Sequence, residues 1–509
     1  EAQPAEFGLI VDLVRARAAA APRHACLACE GARQTYGETA ALMDRVAASL
    51  QRDGVAQRAA IAICANASNN YATLFLGALQ AGVVVAPLAP SSTSEQLAVM
   101  VRDCDAQLLF VDATTAGGFT DAVKTRRIAL DDSAVGEPFS KWLAPEGSRP
   151  KPVAIAPSDP FNIIYSSGTT GAPKGIVQSH RMRWAHVQRA GLFEYDGDAV
   201  TLVSTPLYSN TTLVSFFPAL AGGGAVVLMP KFDAEKFLKL AQQERATHAM
   251  LVPVQYQRIM SRPDFDQYDL SAFRMKFCTS APFSGALKAD IVARWPGGLV
   301  EYYGMTEGGG TCILAAHLFP DKVHTVGRAA EGHDVRLIDE NGAEVAQGEV
   351  GEVVGYSPAI MNGYHNQPQK TREAQWIAPD GRVFIRTGDV GRFDADGFLT
   401  LMDRRKDMII SGGFNIYPSD LESVLGQHSA VAESAVVGVK SVEWGETPLA
   451  FVVLKSGAHA DAEELRAFAN GKLGKTQRLS KVVLVETLPR SAIGKVLKRE
   501  LRDAYEARA

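Results

Sequence analysis

Residues 59–88 read AAIAICANASNNYATLFLGALQAGVVVAPL, and the spacing of their apolar residues decides the fold class. AAIAIC is a buried-strand run, NYATLFLGALQAG is long enough for several helical turns, and VVVAPL is a second strand. The same order returns in GGGAVVLM (222–229), a helical stretch from Asp233 to Glu244, and HAMLVP (248–253). Repeated strand–helix–strand units imply an α/β protein whose mostly parallel sheets are covered by helices. Two such lobes are expected to about residue 330.

Beyond Gly327 the pattern changes. DVRLIDENGAEV (334–345), GEVVGYS (351–357) and GFLTLMDR (397–404) are short alternating runs broken by Gly and Asp, which read as antiparallel hairpins in a small β-barrel-like unit over about 331–402. A charged stretch, Asp403-Arg404-Arg405-Lys406-Asp407, then opens a region of mixed α+β character. The expected organisation is an N-terminal core over 1–405 and a smaller, mobile C-terminal domain over 406–509. A chain of 509 residues is too long for one core, so lobes meeting at clefts are expected.

Composition narrows the function classes. With 47% hydrophobic and 21% charged residues the chain is ordinary for a globular protein. Its formal charge of -4, with no long Lys/Arg run, argues against nucleic acid or an anionic membrane as partner. No run of about eighteen apolar residues occurs, and the first helical stretch, Phe7 to Ala21, is interrupted by Asp12, Arg15 and Arg17, unlike a secretory signal. A soluble, cytoplasmic protein is the expectation, although a chain starting at Glu1 leaves open a trimmed leader. Six cysteines in this length do not form a disulfide framework, and the Cys26-Leu27-Ala28-Cys29 pair reads as ordinary strand residues.

The densest chemical signal is IIYSSGTTGAPKG (163–175), an apolar run followed by closely spaced Ser, Thr and Gly and then Lys174. Glycines allow backbone N–H groups close approach to phosphate oxygens, hydroxyls add donors, and the lysine supplies charge. The plainer reading is a surface loop. Walker A spacing is not met here, and Gly474-Lys475-Thr476 also fails it because Ala469 stands where glycine is needed.

YSSGTTGAPKG resembles the signature of the adenylate-forming superfamily of acyl-CoA and aryl-CoA synthetases, luciferases and peptide-synthetase adenylation domains. Further motifs follow in family order. Tyr303-Gly304-Met305-Thr306-Glu307 is similar to its YGxTE motif and Thr387-Gly388-Asp389 to its TGD motif. The 403–407 stretch with Ser411-Gly412-Gly413 resembles its hinge and following loop, and Pro489-Arg490-Ser491-Ala492-Ile493-Gly494-Lys495 its catalytic-lysine motif.

The resemblance implies a carboxylic acid–CoA ligase using ATP, Mg²⁺ and coenzyme A. Its partners are these and a small carboxylic acid, with no nucleic acid or membrane, and a homodimer is compatible with it. An anionic carboxylate must meet an anionic α-phosphate, so such a site needs fixed cations and hydrogen-bond donors more than acid–base groups. By resemblance, Ser166, Ser167, Gly168, Thr169, Thr170, Gly171 and Lys174 bind ATP, with Thr169, Thr170 and Lys174 cradling the β- and γ-phosphates. Thr306 touches the α-phosphate, and Glu307 holds Mg²⁺. Ser280, Ala281, Pro282, Glu301, Tyr302, Tyr303, Gly304 and Met305 surround the nucleotide, with Tyr303 offering adenine a flat face. Asp389 accepts from the ribose hydroxyls beside Arg404, and Lys495 reaches the carboxylate and α-phosphate during adenylation. Rotation about Lys406 would then admit CoA past Gly412 and Gly413, with Trp444 packed against its arm and Arg478 or Lys481 paired with its phosphates.

The acyl pocket departs from the family pattern. Where P-x-F-H is usual the chain has Pro206-Leu207-Tyr208-Ser209, so Ser209 replaces His, and Tyr302 stands where Gly or an aliphatic residue is common. With Asn210, Val252, Ser280 and Gly304 as further walls, an aryl or medium-sized acid is favoured over a long alkyl chain. The nearest rival is a stand-alone amino-acid adenylation enzyme, which needs an acidic residue for the substrate ammonium, and Ser209 to Phe217 contains none. The other is a catalytically inactive nucleotide-binding homologue, disfavoured because Lys174, Glu307, Asp389 and Lys495 are all present.

Overall fold

The computed structural model describes residues 7–166, 174–404, 407–411, 414–441, 444–474, 477–491 and 494–507. The chain separates into two compact units. One comprises Glu1–His324, Ala329–Asp334 and Gly355–Ile385, and the other Thr325–Arg328, Val335–Val354 and Arg386–Ala509. Compactness thus divides the chain before the charged stretch at which the sequence pattern changes.

In the first unit the 59–88 segment forms its βαβ unit. Strand Ala60–Cys64 pairs parallel with Val84–Pro87, Ala60 opposite Val84, and helix Asn69–Gln80 connects them. Ser68 starts that helix by accepting the Tyr71 N–H at 3.1 Å. Every residue from Tyr71 to Leu79 is buried, as expected of a helix that is apolar on all sides. Glycine lets it lie close against helix Tyr36–Arg52, because a Cβ on Gly77 would come within 2.5 Å of Val46 Cβ.

This sheet continues with Leu109–Val111, Arg127–Ala129 and Glu137–Pro138 on one side and Pro160–Ser166 on the other, all parallel. Lys174–Ser179 then turns back antiparallel, and Gly363–Tyr364 pairs with it.

A second sheet in this unit runs from Cys312–Ala315 through Gly298–Tyr303, Met275–Cys278, His248–Leu251, Val200–Val203, Ala225–Leu228 and Ala25–Cys29 to Ala32–Thr35. All its inner pairings are parallel. The second expected βαβ segment supplies Ala225–Leu228, helix Ala234–Gln243 and His248–Leu251, but Val200–Val203 lies between its two strands. Cys26 and Cys29 sit buried in strand Ala25–Cys29, and burial pushes their thiols up to about 12 and about 11, so neither is a thiolate at neutral pH.

The second unit contains a long hairpin, Val431–Ser441 against Gly445–Leu454, with Val436 opposite Ala450. Ile409–Ser411 and Phe414–Ile416 extend it on one side, and Lys481–Leu484 pairs parallel with Gly445–Leu454. Both faces are covered. Val436, Ala450 and Val452 pack with Leu421 and Leu465, while Val437, Leu449 and Phe451 pack with Leu488 and Leu501. Among the described residues no helix is long and apolar enough to cross a membrane.

Candidate active site

The second sheet of the first unit gathers the Tyr303–Glu307 motif and the residues expected to wall the acyl pocket. Val200–Val203, His248–Leu251, Met275–Cys278 and Gly298–Tyr303 are parallel, so the segments that follow them leave from one edge. In open α/β sheets this carboxyl edge is where ligands bind. It presents Tyr208, Ser209 and Asn210 after the first strand, Val252 after the second, Ser280, Ala281 and Pro282 after the third, and Gly304 to Glu307 after the fourth. Ser280 holds a φ of +84°, unusual for a non-glycine, and its hydroxyl bonds that of Thr211, which the sequence reading did not single out.

Lys174 opens the returning strand of the hairpin expected to carry the phosphate loop, its backbone opposite Ser166. Ser167, Gly168, Thr169, Thr170 and Gly171 lie outside the described residues, as do Lys406, Gly412, Gly413, Lys475, Thr476 and the side chains of Ser166 and Arg404. Farther along the strand, buried Gln178 donates through Nε2 to the Thr306 carbonyl at 2.7 Å and to Asn210 Oδ1 at 3.2 Å. Its Oε1 accepts from Asn162 Nδ2 at 3.0 Å and from Arg183. Arg183 is fully buried against Phe161 and Phe217, and burial lowers its guanidinium to about 9. One carboxamide thus ties the strand Lys174–Ser179 to the backbone of Thr306 and to the start of helix Asn210–Ala221.

Glu307 is buried, and its Oε1 accepts from the Tyr364 hydroxyl at 2.8 Å. The Lys174 ammonium stands 4.7 Å from the centroid of the same Tyr364 ring. The implied phosphate cation and the implied metal carboxylate therefore meet two parts of one aromatic residue. Among the described residues no group of three or more His, Cys, Asp or Glu is arranged to hold a metal ion by itself. A lone carboxylate that shares Mg²⁺ with nucleotide oxygens fits that ion's preference for few protein ligands.

Two placements alter the expected roles. Glu301 turns into the interior as the ion-pair partner of Lys288, and burial raises its carboxyl to about 7, so its charge faces away from the edge. Ser209 caps helix Asn210–Ala221, accepting the Thr211 N–H at 3.3 Å, so its hydroxyl serves the helix as well as a pocket wall. Tyr302 stacks on Phe277 at 5.6 Å and meets the edge of Phe193 at 5.8 Å. Burial holds its phenol well above the usual tyrosine range.

In the second unit Asp389 faces Arg404 across an antiparallel pair, and its N–H donates to Thr387 Oγ1 at 3.0 Å. Gly388 has a φ of +70°. The Lys495 carbonyl accepts the Ser491 N–H at 2.8 Å, and Arg490 donates to the Gly494 carbonyl while pairing with Glu433. Trp444 is 52% exposed and so is not a core residue. Arg478 and Lys481 are exposed as well, the Lys481 ammonium lying 5.3 Å from the Tyr505 ring centroid.

Residues 14–365 match the AMP-binding enzyme family, and residues 420–495 match the AMP-binding enzyme C-terminal domain. The chain belongs to the AMP-binding enzyme family. Within it, this AMP-binding enzyme falls in the carboxylic acid–CoA ligase branch. It is similar to indoleacetate–CoA ligase of Aromatoleum aromaticum, 34% identical over 489 residues that span 92% of each chain. It also resembles 4-coumarate–CoA ligase 2 of Oryza sativa, 32% identical over 524 residues spanning 96% of this chain and 90% of that one. Among solved structures, ATP-bound MatB from Rhodopseudomonas palustris superposes with a TM-score of 0.87 at 28% identity, covering 97% of this chain and 99% of that one. Missing from the sequence reading of this family member were Gln178, Arg183, Thr211 and Tyr364, none of which carries a motif signal of its own.

Proposed function

We propose that the protein is an ATP-dependent carboxylic acid–CoA ligase acting on an aryl or medium-sized acid. The first half-reaction joins acid and ATP as acyl-adenylate and releases pyrophosphate. The second passes the acyl group to the CoA thiol and releases AMP. The observation that carries this reading is the carboxyl edge that presents Thr306 and Glu307, with Lys174 held against the same Tyr364 ring that bonds Glu307.

In this reading Lys174 and the hydroxyls of 166–170 orient the outer phosphates, and Thr306 meets the α-phosphate. Glu307 would hold Mg²⁺, which neutralises phosphate charge when bound. Tyr303 takes adenine and Asp389 the ribose hydroxyls. Lys495 stabilises the charge that builds as carboxylate oxygen bonds phosphorus and the pyrophosphate bond breaks. Gly412, Gly413, Trp444, Arg478 and Lys481 serve the CoA step after rotation at Lys406. The aromatic wall of Tyr302, Phe277 and Phe193 supports a flat or short acyl group, and so do the indoleacetate and 4-coumarate in the names of the two relatives. Six unpaired cysteines support a reducing compartment such as the cytoplasm.

The test is acid-dependent ATP–pyrophosphate exchange across benzoates, indole acids, cinnamates, short dicarboxylates and fatty acids, followed by CoA. AMP and a thioester are expected with an aryl or medium acid. Lys495→Ala should slow exchange by about 10²–10³ while sparing thioester formation from supplied acyl-adenylate. Release of ADP and orthophosphate would sink the reading, and equal loss of both half-reactions would remove Lys495 from its role.

A further inference from the structure

Outside the motif residues, one side chain contacts both a charge assigned to phosphate and a charge assigned to metal. Tyr364 sits in the buried cluster of Ile176, Met361 and Ile385, on the short strand that pairs with Lys174–Ser179. Pairing of Tyr364 with Ile176 fixes its backbone, and the Tyr364 N–H donates to Thr371 Oγ1 at 2.9 Å. Glu307 is fixed from its own side, because its carbonyl accepts the Met361 N–H at 2.9 Å. The phenol and carboxylate are therefore locked at 2.8 Å by backbone on both sides.

We propose that Tyr364 is a positioning residue for the metal–triphosphate site: its hydroxyl orients the Glu307 carboxylate toward a divalent cation, and its ring face parks the Lys174 ammonium for the outer phosphates. The inference rests on the ligase reading and assigns a new residue within it.

The chemistry is one of occupancy. A carboxylate whose Oε1 is engaged by a phenol presents its second oxygen, and among the described residues nothing else donates to it. Lys174 rests on an aromatic face, not on an acid, and forms no ion pair among the described residues. A direct Lys174–Glu307 pair would neutralise both charges before substrate arrived, and the ring keeps the two apart while holding each. Outer partners of this kind change metal affinity by about 10–100-fold when removed.

Tyr364→Phe isolates the hydroxyl, since it retains the ring and its packing. Manganese binding to the protein–ATP complex, followed by electron paramagnetic resonance, should weaken by about 10-fold or more. The Mg²⁺ concentration for half-maximal pyrophosphate exchange should rise in parallel, with a smaller change in kcat at saturating Mg²⁺. The melting temperature reports the packing separately. Tyr364→Leu removes the ring as well and should add a rise in KM for ATP. A Tyr364→Phe protein with wild-type manganese affinity and Mg²⁺ requirement overturns the proposal, whether or not it melts lower. If the wild type binds manganese and ATP but catalyses no exchange, the ligase reading fails while the manganese comparison still decides the role of Tyr364.

Discussion

Gln178 shows how much one carboxamide can hold. Both of its donors and its acceptor are engaged, and one donor fixes the carbonyl of Thr306, a residue the family motif assigns to the nucleotide. Its neighbour Arg183 is buried with Nη1 unpartnered and with no carboxylate in contact among the described residues, so the guanidinium depends on Gln178 and Asn162. Removing the acceptor should therefore be worse than removing the charge. Gln178→Leu strands a buried cation and is expected to cost about 3–5 kcal/mol, whereas Arg183→Met deletes that cation and should fall within about 1.5 kcal/mol of wild type. Urea unfolding of both variants checks the order, and an Arg183→Met protein the less stable of the two would refute it. This network also marks the limit of the sequence reading at the site. Lys174, Thr306, Glu307, Asp389 and Lys495 can be singled out in the sequence as candidates because residue type and motif coincide. Gln178 and Tyr364 cannot, because their partners stand 128 and 57 positions away, and nothing local distinguishes a site glutamine from a strand glutamine. Glu301 reads as a site acid for the opposite reason: the strand turns it inward to Lys288.

Among the elements, the helix Asn69–Gln80 was readable because a long apolar run between two strand-like runs has few other solutions, although its Ser68 cap was not singled out. Strand order was not readable. The helix that joins Ala225–Leu228 to His248–Leu251 spans a strand position, and Val200–Val203 occupies it, a pairing between distant segments that periodicity cannot encode. Nor does periodicity show how closely helices approach. At Gly77 an added methyl would gain about 1 kcal/mol of helix propensity. It would also lie 2.5 Å from Val46 Cβ and 3.0 Å from the Met43 carbonyl, atoms of a stiff β-branched side chain and of backbone. Overpacking of that kind costs about 1–3 kcal/mol, so Gly77→Ala should be destabilising on balance. Adding Val46→Ala should recover part of the loss. A double-mutant cycle by chemical denaturation measures the coupling, and a Gly77→Ala protein more stable than wild type would show that the helices can separate without penalty.

For the molecule as a whole, acid should be the destabilising direction, and the sign follows from which state binds the proton. Burial lowers His180 to about 4, and burial followed by the Arg189 charge lowers His333 to about 4. His186 is pushed well below its ordinary value by burial and by the neighbouring Arg183, Arg189 and His333. Unfolded histidine titrates near 6.5, so between about pH 6.5 and 4 the unfolded chain takes up protons that the folded chain refuses. The stability these neutral imidazoles allow is complete above that window and falls as pH drops through it, by up to about 3 kcal/mol for each of His180 and His333. Glu301 acts in reverse, because burial raises it to about 7 and the folded state then holds a proton that the unfolded state has lost above its usual carboxylate range. One group of similar size opposes at least two, so the histidines should win. Since a domain of this kind is stable by only about 5–15 kcal/mol, the slope should be visible in urea midpoints at pH 7.5, 6 and 5. His180 packs edge-on against Phe161 at 5.0 Å, so His180→Phe should preserve the packing and flatten the profile below pH 6.5. A wild-type profile that is level across this range, or a His180→Phe profile as steep as the wild type, would mean that protons reach these buried imidazoles without disturbing the fold.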